Sequence, residues 1–511
     1  MAKQVNFTGT EDILDVYVTD LKHRARYTPI DFGEGEISIE LLAEPTAVHV
    51  LLAVPGYGRV WCTADNSGDG YAEDAEVPLH DALAMSRIRQ CERRMMSSHL
   101  EEPPDEQFEA AWDLFDLGRP LESLHQGILA GEALEHAAAM LALELRDHDV
   151  EPLPVIASPL FGERLEEYSI GVGPDWHNVS LQPNFLHSRE KWDTLSNICN
   201  ATTIPNFWRW VEFGRDCQRW AGIEEILSHC EEKGMEAKSF SIFWGGIGGM
   251  PPWFRELDYP DKLKAVENWT TDLVSKLKGR ISCWEIANEM HDWEFANKIP
   301  QLSHEQAFEI AKLVSEITGS LDPGTPRIIN HCCPWGEYGQ RAGQACRGAS
   351  RPQEQIWSPL SFLDEIIHQD IEFEGIGVQM YYPSRDLMDI MAHLDRFAEY
   401  GKPIWITEMG TPSSSGSDML ETDQIDMTIG WRGPWEQENQ ADWVELFFLM
   451  AMSRPYIRNI TYWDFDDERA FIKHAGLLDR DGQPKQSYHR ILELCQTFGI
   501  GGPAEWPDEE Y

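Results

Sequence analysis

The chain has 511 residues, 42% of them hydrophobic and 25% charged, with 87 acidic against 42 basic side chains and a formal net charge of -45. This length suits one large domain with an accessory part, and the apolar share excludes global disorder. A negative charge of this size argues against nucleic acid and anionic membrane as partners, because both would repel it.

From the start of the chain, Met1 to Phe7 contain no apolar run of signal-peptide length, and no later stretch approaches a membrane span. The expected compartment is cytoplasmic, or secreted if a leader has been removed. The ten cysteines show no CxxC spacing, and Cys332-Cys333 is their one adjacent pair. That is neither a zinc framework nor a dense disulfide scaffold. Within an accessory domain of residues 1–80, the stretch from about Asp12 to Glu76 alternates in period two, with Leu14, Val16 and Val18 in one strand, Ile37, Ile39 and Leu41 in another, and Val48, Val50 and Leu52 in a third. Breaks at Gly33, Gly35, Pro55-Gly56 and Ser67 to Gly70 supply turns, so this part reads as a small antiparallel β-sandwich. Tyr57, Trp61 and Tyr71 offer rings for carbohydrate, but packing in the core or against the next domain is the stronger reading.

Residues 81–150 turn helical, with Ala82, Met85, Ile88 and Cys91 on one face, a break at Pro103-Pro104, and a second amphipathic run from Leu121 to Leu145. They read as a helical connector. From 151 to 511 the pattern is strand, loop and helix in repetition. Strands are expected at Pro154–Ser158, Asn200–Ile204, Ala237–Trp244, Ile281–Ala287, Arg327–Asn330, Gly375–Tyr381, Ile404–Thr407 and Asn459–Trp463. Helices fit between them, among them Gly222–Lys233, Leu263–Leu277, His304–Thr318 and Leu387–Tyr400, with a last one at Gln486–Phe498. The expected fold is α/β, a (β/α)₈ TIM barrel with an N-terminal β-sandwich-like domain and a helical connector.

Two of the barrel strands share one design. Cys283 to Glu289 runs apolar and ends in an amide beside a carboxylic acid; Pro403 to Glu408 again ends in a carboxylic acid. Barrels place their chemistry at the C-terminal ends of strands, and two carboxylates facing one cleft equip it for glycoside hydrolysis. One must be protonated to release the leaving alcohol, the other ionised to meet the anomeric carbon. Glu289, with Trp284, Trp293 and Phe295 as apolar neighbours, takes the first role. Glu408 takes the second, with Tyr381, Gln379 and Arg209 as candidate donors. Asn288 stands ready for a sugar hydroxyl next to the anomeric carbon. Among 20 Trp residues most are core, and some are platforms for sugar rings. Trp431 and Trp435 lie in a long loop after Glu408 that either shapes the cleft or is a solvated insertion. His331-Cys332-Cys333 lacks the further ligands of a metal site, and His291 and His474 read as cleft or rim residues.

Trp284-Glu285-Ile286-Ala287-Asn288-Glu289, followed by Ile406-Thr407-Glu408, resembles the catalytic pair of retaining clan A barrel glycosidases, and most closely glycoside hydrolase family 10, the xylanase family. Asn206-Phe207-Trp208-Arg209-Trp210 is similar to that family's second-strand segment, which lines the glycone site. Gly375 to Gln379, Ile460 to Trp463, and Gly476 to Lys485 resemble its sixth strand, its eighth strand and the segment before its last helix. The resemblance implies a retaining hydrolase of a β-linked glycan or oligosaccharide, with Glu408 as nucleophile and Glu289 as acid/base. Asn206, Arg209, Trp210, Trp244, Asn288, Gln379, Tyr381 and Trp463 would bind substrate, with no cofactor and no metal. The departures are local. Phe240 and Gly245 flank Trp244 where xylanases carry His, and Tyr381 stands where they typically have His. Those groups hold xylose, so the cleavage machinery transfers more securely than the sugar, and plain xylan is not the expected substrate. A Tyr at position 381 is placed to hydrogen-bond the nucleophile or to pack at the rim. The competing reading is a non-catalytic carbohydrate-binding protein on the same barrel.

Overall fold

The computed structural model describes residues 2–146, 151–160, 189–215, 217–246, 248–292, 299–337, 357–381, 384–415, 430–468 and 470–500. The N-terminal strands are β1 (Gln4–Thr8), β2 (Ile13–Asp20), β3 (Ala25–Arg26), β4 (Ile30–Phe32), β5 (Glu36–Glu40), β6 (Thr46–Val54), β7 (Gly58–Ala64) and β8 (Ala75–Pro78). They form two four-stranded sheets, ordered β4-β5-β1-β8 and β3-β2-β6-β7. Inward residues follow the period of two: Val5, Phe7, Ile37 and Ile39 from one sheet, Val16, Val18, Val48, Val50 and Leu52 from the other, all buried. Two details depart from expectation. The β1–β8 pair is parallel, so the sandwich is not wholly antiparallel. Leu14 is 51% exposed, because the register of β2 against β6 shifts between Ile13 and Asp15, which turns its side chain outward.

Helices Leu79–Ser97, Glu106–Asp116 and Pro120–Leu145 follow. The buried face of the first centres on Leu83, Ala84, Arg87, Ile88 and Cys91, with the expected Ala82 and Met85 only half-buried at its margin. The (β/α)₈ barrel comes next. Its strands are β9 (Val155–Ala157), β10 (Ala201–Pro205), β13 (Glu236–Phe240), β14 (Trp284–Asn288), β15 (Arg327–His331), β16 (Gly375–Met380), β17 (Ile404–Met409) and β18 (Ile457–Tyr462). A short hairpin, β11 (Glu212–Gly214) with β12 (Cys217–Gln218), sits in the loop after β10. The barrel sheet runs β13-β10-β9-β18-β17-β16-β15-β14 with every pair parallel. It closes through a parallel bridge between Lys238 and Cys283, with Ile242 N–H donating to Glu285 O (2.8 Å) and Asn288 N–H to Phe243 O (3.0 Å). These strands are buried on both faces, which is why they read as near-continuous apolar runs. Each is followed by a helix among the described residues: Arg189–Ser196, Ala221–Lys233, Tyr259–Leu277, His304–Leu321, Pro359–His368, Leu387–Ala398, Gln437–Met452 and Gln486–Phe498. None of the described helices is long and apolar enough to cross a membrane.

The N-terminal sheets and helices are fixed to the barrel by buried charge. Arg87 grips Asp386 with both ends of its guanidinium, at 2.5 and 3.1 Å, and neither side chain is more than 5% exposed. Glu132 is fully buried and accepts from Tyr57 OH (2.8 Å), Trp431 Nε1 (3.0 Å), Leu387 N–H (3.3 Å) and Arg432 Nε (3.0 Å). A carboxylate so enclosed is tolerated because every lone pair finds a donor. Arg385 lies within 5.5 Å of the ring centres of Tyr17, Trp61 and Trp335, and Trp61 N–H donates to Ser384 O. Tyr57, Trp61 and Tyr71 are therefore packing residues, at most 6% exposed. So are Trp431 and Trp435, 2% and 3% exposed; of the loop after Glu408, residues 416–429 lie outside the described set.

The same interface encloses three imidazoles. His49 stacks on Tyr17, His393 stacks on Trp335 and bonds to Pro334 O (2.8 Å), and His23 lies 5.4 Å from His49 and 6.4 Å from His393. Burial, with Arg396 and Arg385 nearby, holds all three well below the usual histidine value. The unfolded chain, with histidines near 6.5, then binds more protons than the folded one once pH falls below that value. Thermal or urea unfolding measured from pH 7.5 to 5 should show stability constant above about pH 6.5 and falling below it, by up to about 1.4 kcal/mol per pH unit for each histidine. Replacing His49 with Gln should flatten the slope.

Candidate active site

The barrel turns the C-terminal ends of its strands toward one mouth. Glu289 follows β14 directly and adopts a left-handed backbone (φ 55°), an uncommon conformation for a non-glycine residue and one that clusters at functional sites. Its N–H donates to Asn330 O at the end of β15 (3.0 Å). Its carboxylate accepts from Trp244 Nε1 (3.0 Å) on one oxygen and from Gln379 Nε2 (2.8 Å) on the other. Glu408, near the end of β17, accepts from Asn330 Nδ2 (3.2 Å) and Tyr381 OH (3.1 Å). Thr407 Oγ1 donates to Asn330 Oδ1 (2.6 Å), which turns the amide nitrogen of Asn330 toward Glu408. One asparagine thus ties both acids, through its carbonyl to one and its side chain to the other. The acids are 8% and 6% exposed.

Gln379 was expected among the donors to Glu408; it pairs in register with that residue across the β16–β17 ladder but sends its amide to Glu289. Trp284, expected beside Glu289, lies at the opposite end of β14 and donates to Asp322 (2.9 Å) after the helix His304–Leu321. The other two expected neighbours, Trp293 and Phe295, lie outside the described residues. The aromatic setting comes instead from a separate cluster of Phe207, Phe240, Trp244, Tyr381 and Trp463, with Trp210 packed on it. Phe240 meets Trp463 edge-on at 4.9 Å and Phe207 at the same distance. Trp463 is only 2% exposed. Trp244 was read as part of the third strand but follows it, since β13 ends at Phe240.

Asn206 accepts from Phe240 N–H (2.8 Å), joining the second and third strand ends, and its Nδ2 is buried without a partner among the described residues. Arg209 is buried in the turn after β10, where its N–H donates to Gly249 O. Asn288 is fully buried beside Glu289, and neither end of its amide has a partner among the described residues. A buried amide so placed is costly unless something enters to bond it. Beneath the mouth Lys238 Nζ meets Glu285 at 2.6 Å, and burial still pushes the Glu285 carboxyl up to about 7. His331 and His291 bond to each other (3.4 Å) and Cys332 Sγ approaches His291 (3.7 Å). No group of three potential ligands among the described residues is arranged to hold a metal.

Asn330 and Thr407 were missed by sequence reading. The signal was available: Asn330 ends an apolar strand with a polar side chain, as Glu289 and Glu408 do. The loop after β17 begins at Gly410, where an added Cβ would stand 2.4 Å from Trp463 O and 3.7 Å from the Tyr381 ring. Gly410→Ala should therefore destabilise the protein by about 1–3 kcal/mol in urea unfolding, and the displaced Trp463 should change the near-UV dichroism.

The chain is similar to known proteins in sequence and fold. The model of Glycosyl hydrolase family 10 matches residues 171–312 and 353–494. Endo-1,4-beta-xylanase 3 of Arabidopsis thaliana is 23% identical over 309 residues, 60% of this chain and 36% of that protein. Endo-1,4-beta-xylanase B of Thermotoga neapolitana is 24% identical over 322 residues, 58% of this chain and 81% of that protein. The chain thus spans about a third of the length of the first of these relatives. Among solved structures, native xylanase 10B from Thermotoga maritima aligns with 69% of this chain and 98% of its own, at 17% identity and a TM-score of 0.49.

Proposed function

The chain belongs to Glycosyl hydrolase family 10, and from that premise we propose that it hydrolyses a xylan-like β-linked glycan or oligosaccharide with retention of configuration. The supporting observation is a pair of strand-end carboxylates that draw their side-chain donors from different residues, beside an amide with no partner among the described residues. Glu408 attacks the anomeric carbon as the glycosidic bond breaks, and Glu289 gives its proton to the departing oxygen. Glu289 then takes a proton from water, whose oxygen displaces Glu408 and frees the sugar.

The two environments suit the two tasks. Asn330 and Tyr381 place N–H and O–H dipoles on Glu408, which favours its ionised form. Glu289 takes Trp244 Nε1 on one oxygen and Gln379 Nε2 on the other, which fixes the plane of its carboxyl group for proton delivery. Asn288 is offered to the hydroxyl beside the anomeric carbon, where a bond that tightens as charge develops lowers the barrier. Tyr381 and the aromatic wall of Phe207, Phe240 and Trp463 make the cleavage subsite less polar than one lined by histidines. The sugar accepted there should be bound more by its ring face and less by its hydroxyls.

Hydrolysis of aryl β-glycosides (xyloside, xylobioside, glucoside, arabinoside) tests the reading. At least one should turn over, and proton NMR should show the first-formed product in the β configuration. On substrates with poor leaving groups Glu289→Ala should lose about 10²–10⁴ in kcat, and Glu408→Ala at least as much. Asn288→Ala should lower kcat with little change in KM. An inert panel, or an α product, contradicts the proposal.

A further inference from the structure

We infer that the protein binds a small oxyanion, of the phosphate or sulfate type, in a cavity between the β2–β3 hairpin and two barrel helices. The cavity measures about 160 Å³ and is lined by Lys22, Arg24, Leu360, Arg396, Glu399 and Tyr400. Three of its six lining residues are cationic, in a chain where acids outnumber bases by 87 to 42. Arg24 is already engaged, its Nε and Nη2 held by the two oxygens of Asp364 at 2.6 and 3.0 Å. Tyr400 OH lies on the same carboxylate at 2.8 Å. The other two cations, Arg396 and Lys22, make no ion pair among the described residues. Arg396 Nη1 is also buried without a hydrogen-bond partner among them.

The surroundings of Arg396 sharpen the point. Behind it stand His23 and His393, which its charge helps to keep neutral, and Arg385 beyond them, which is held by Asp389 (3.3 Å) and Tyr17 OH (3.1 Å). Asp395, the acid next to Arg396 in sequence, is committed to Arg454 (3.0 Å) and Tyr456. Glu399, on the following turn, is exposed at the cavity and makes no ion pair among the described residues. Asp389, Glu399 and Asp395 act on Arg396 through their charge, but none of them hydrogen-bonds it among the described residues, and a partly desolvated guanidinium N–H left without an acceptor is unfavourable unless something supplies one. A tetrahedral oxyanion fits the volume and offers its oxygens to the planar fork of Arg396 and the ammonium of Lys22 together. Its presence would also join the N-terminal hairpin to the helices Pro359–His368 and Leu387–Ala398. Binding to the folded state alone then raises the unfolding temperature by mass action.

Titration of the full chain with inorganic phosphate, at constant ionic strength against chloride, tests this by calorimetry and by unfolding temperature. Wild type should show one saturable site and a rise in unfolding temperature that chloride does not reproduce. Arg396→Gln should weaken phosphate binding about tenfold or more, and Lys22→Gln, an exposed change that leaves the fold intact, by several-fold. Glu399→Gln should strengthen it by removing a like charge from the rim. A parallel titration with a hexose phosphate distinguishes an anion carried on a sugar, if it binds, from a free ion, if it does not. The inference is overturned if wild type responds to phosphate as it does to chloride, or if folded Arg396→Gln and Lys22→Gln both bind as wild type does. Glycosidase activity is not needed for any of these readings.

Discussion

Two carboxylates can share a buried mouth only if each receives enough donors, and the arrangement of this barrel follows from that requirement. The donors to Glu289 come from the loop after the third strand and from the sixth strand; those to Glu408 come from the fifth strand and the residue just after the sixth. Asn330 stands between them and serves both. Because its amide is oriented by Thr407, the neighbour of Glu408 in sequence, a change on the seventh strand is felt on the fifth. Strand pairing alone brings these side chains to one level; the hydrogen bonds decide which acid each one meets. That is a division of labour between backbone and side chains.

The second demand is solvation of the charges that join the N-terminal part to the barrel. Arg87–Asp386 and the four-donor shell of Glu132 replace water at an interface where water is excluded. Asp386 also caps the helix Leu387–Ala398, accepting from Asp389 N–H, so the ion pair and the helix start stabilise one another. On the other flank Lys485 pairs with Asp467 (2.6 Å) and reaches Ser413 and His474, which ties the loops after the seventh and eighth strands. The mouth is therefore braced from both sides.

Much of this was legible in the sequence. All eight barrel strands were placed, because strands buried on both faces read as short apolar runs between turn residues, and Gln486–Phe498 matched at both ends. The carboxylates stood out because a charge ending such a run has no structural reason to be there. What escaped were facts of partnership. Nothing in the spacing of Gln379 and Glu408 tells that the amide crosses to Glu289, since side-chain direction at a barrel mouth depends on curvature and local bulges such as the register shift between Val378 and Gln379. The third strand was drawn too long because the apolar run Ile242 to Trp244 continues past the ladder as barrel-closing loop. Leu14 was placed inside because a bulge is invisible to a period-two count. Glu132 passed as one more acid on an amphipathic helix, since burial of a charge is decided by residues hundreds of positions away.

That long reach of Glu132 bears on how such a chain changes over evolutionary time. Its partners lie in the turn between β6 and β7, in the segment after the sixth strand, and in the loop that follows Glu408. A recombination event that transplanted the barrel from residue 151 onward would carry away Trp431 and Arg432 and leave behind the one carboxylate that satisfies them. Inheritance of the front region and of the loop behind the nucleophile strand is thereby coupled. The shuffling unit is larger than the barrel, and a substitution at any of these donors is best tolerated when the acid drifts with it.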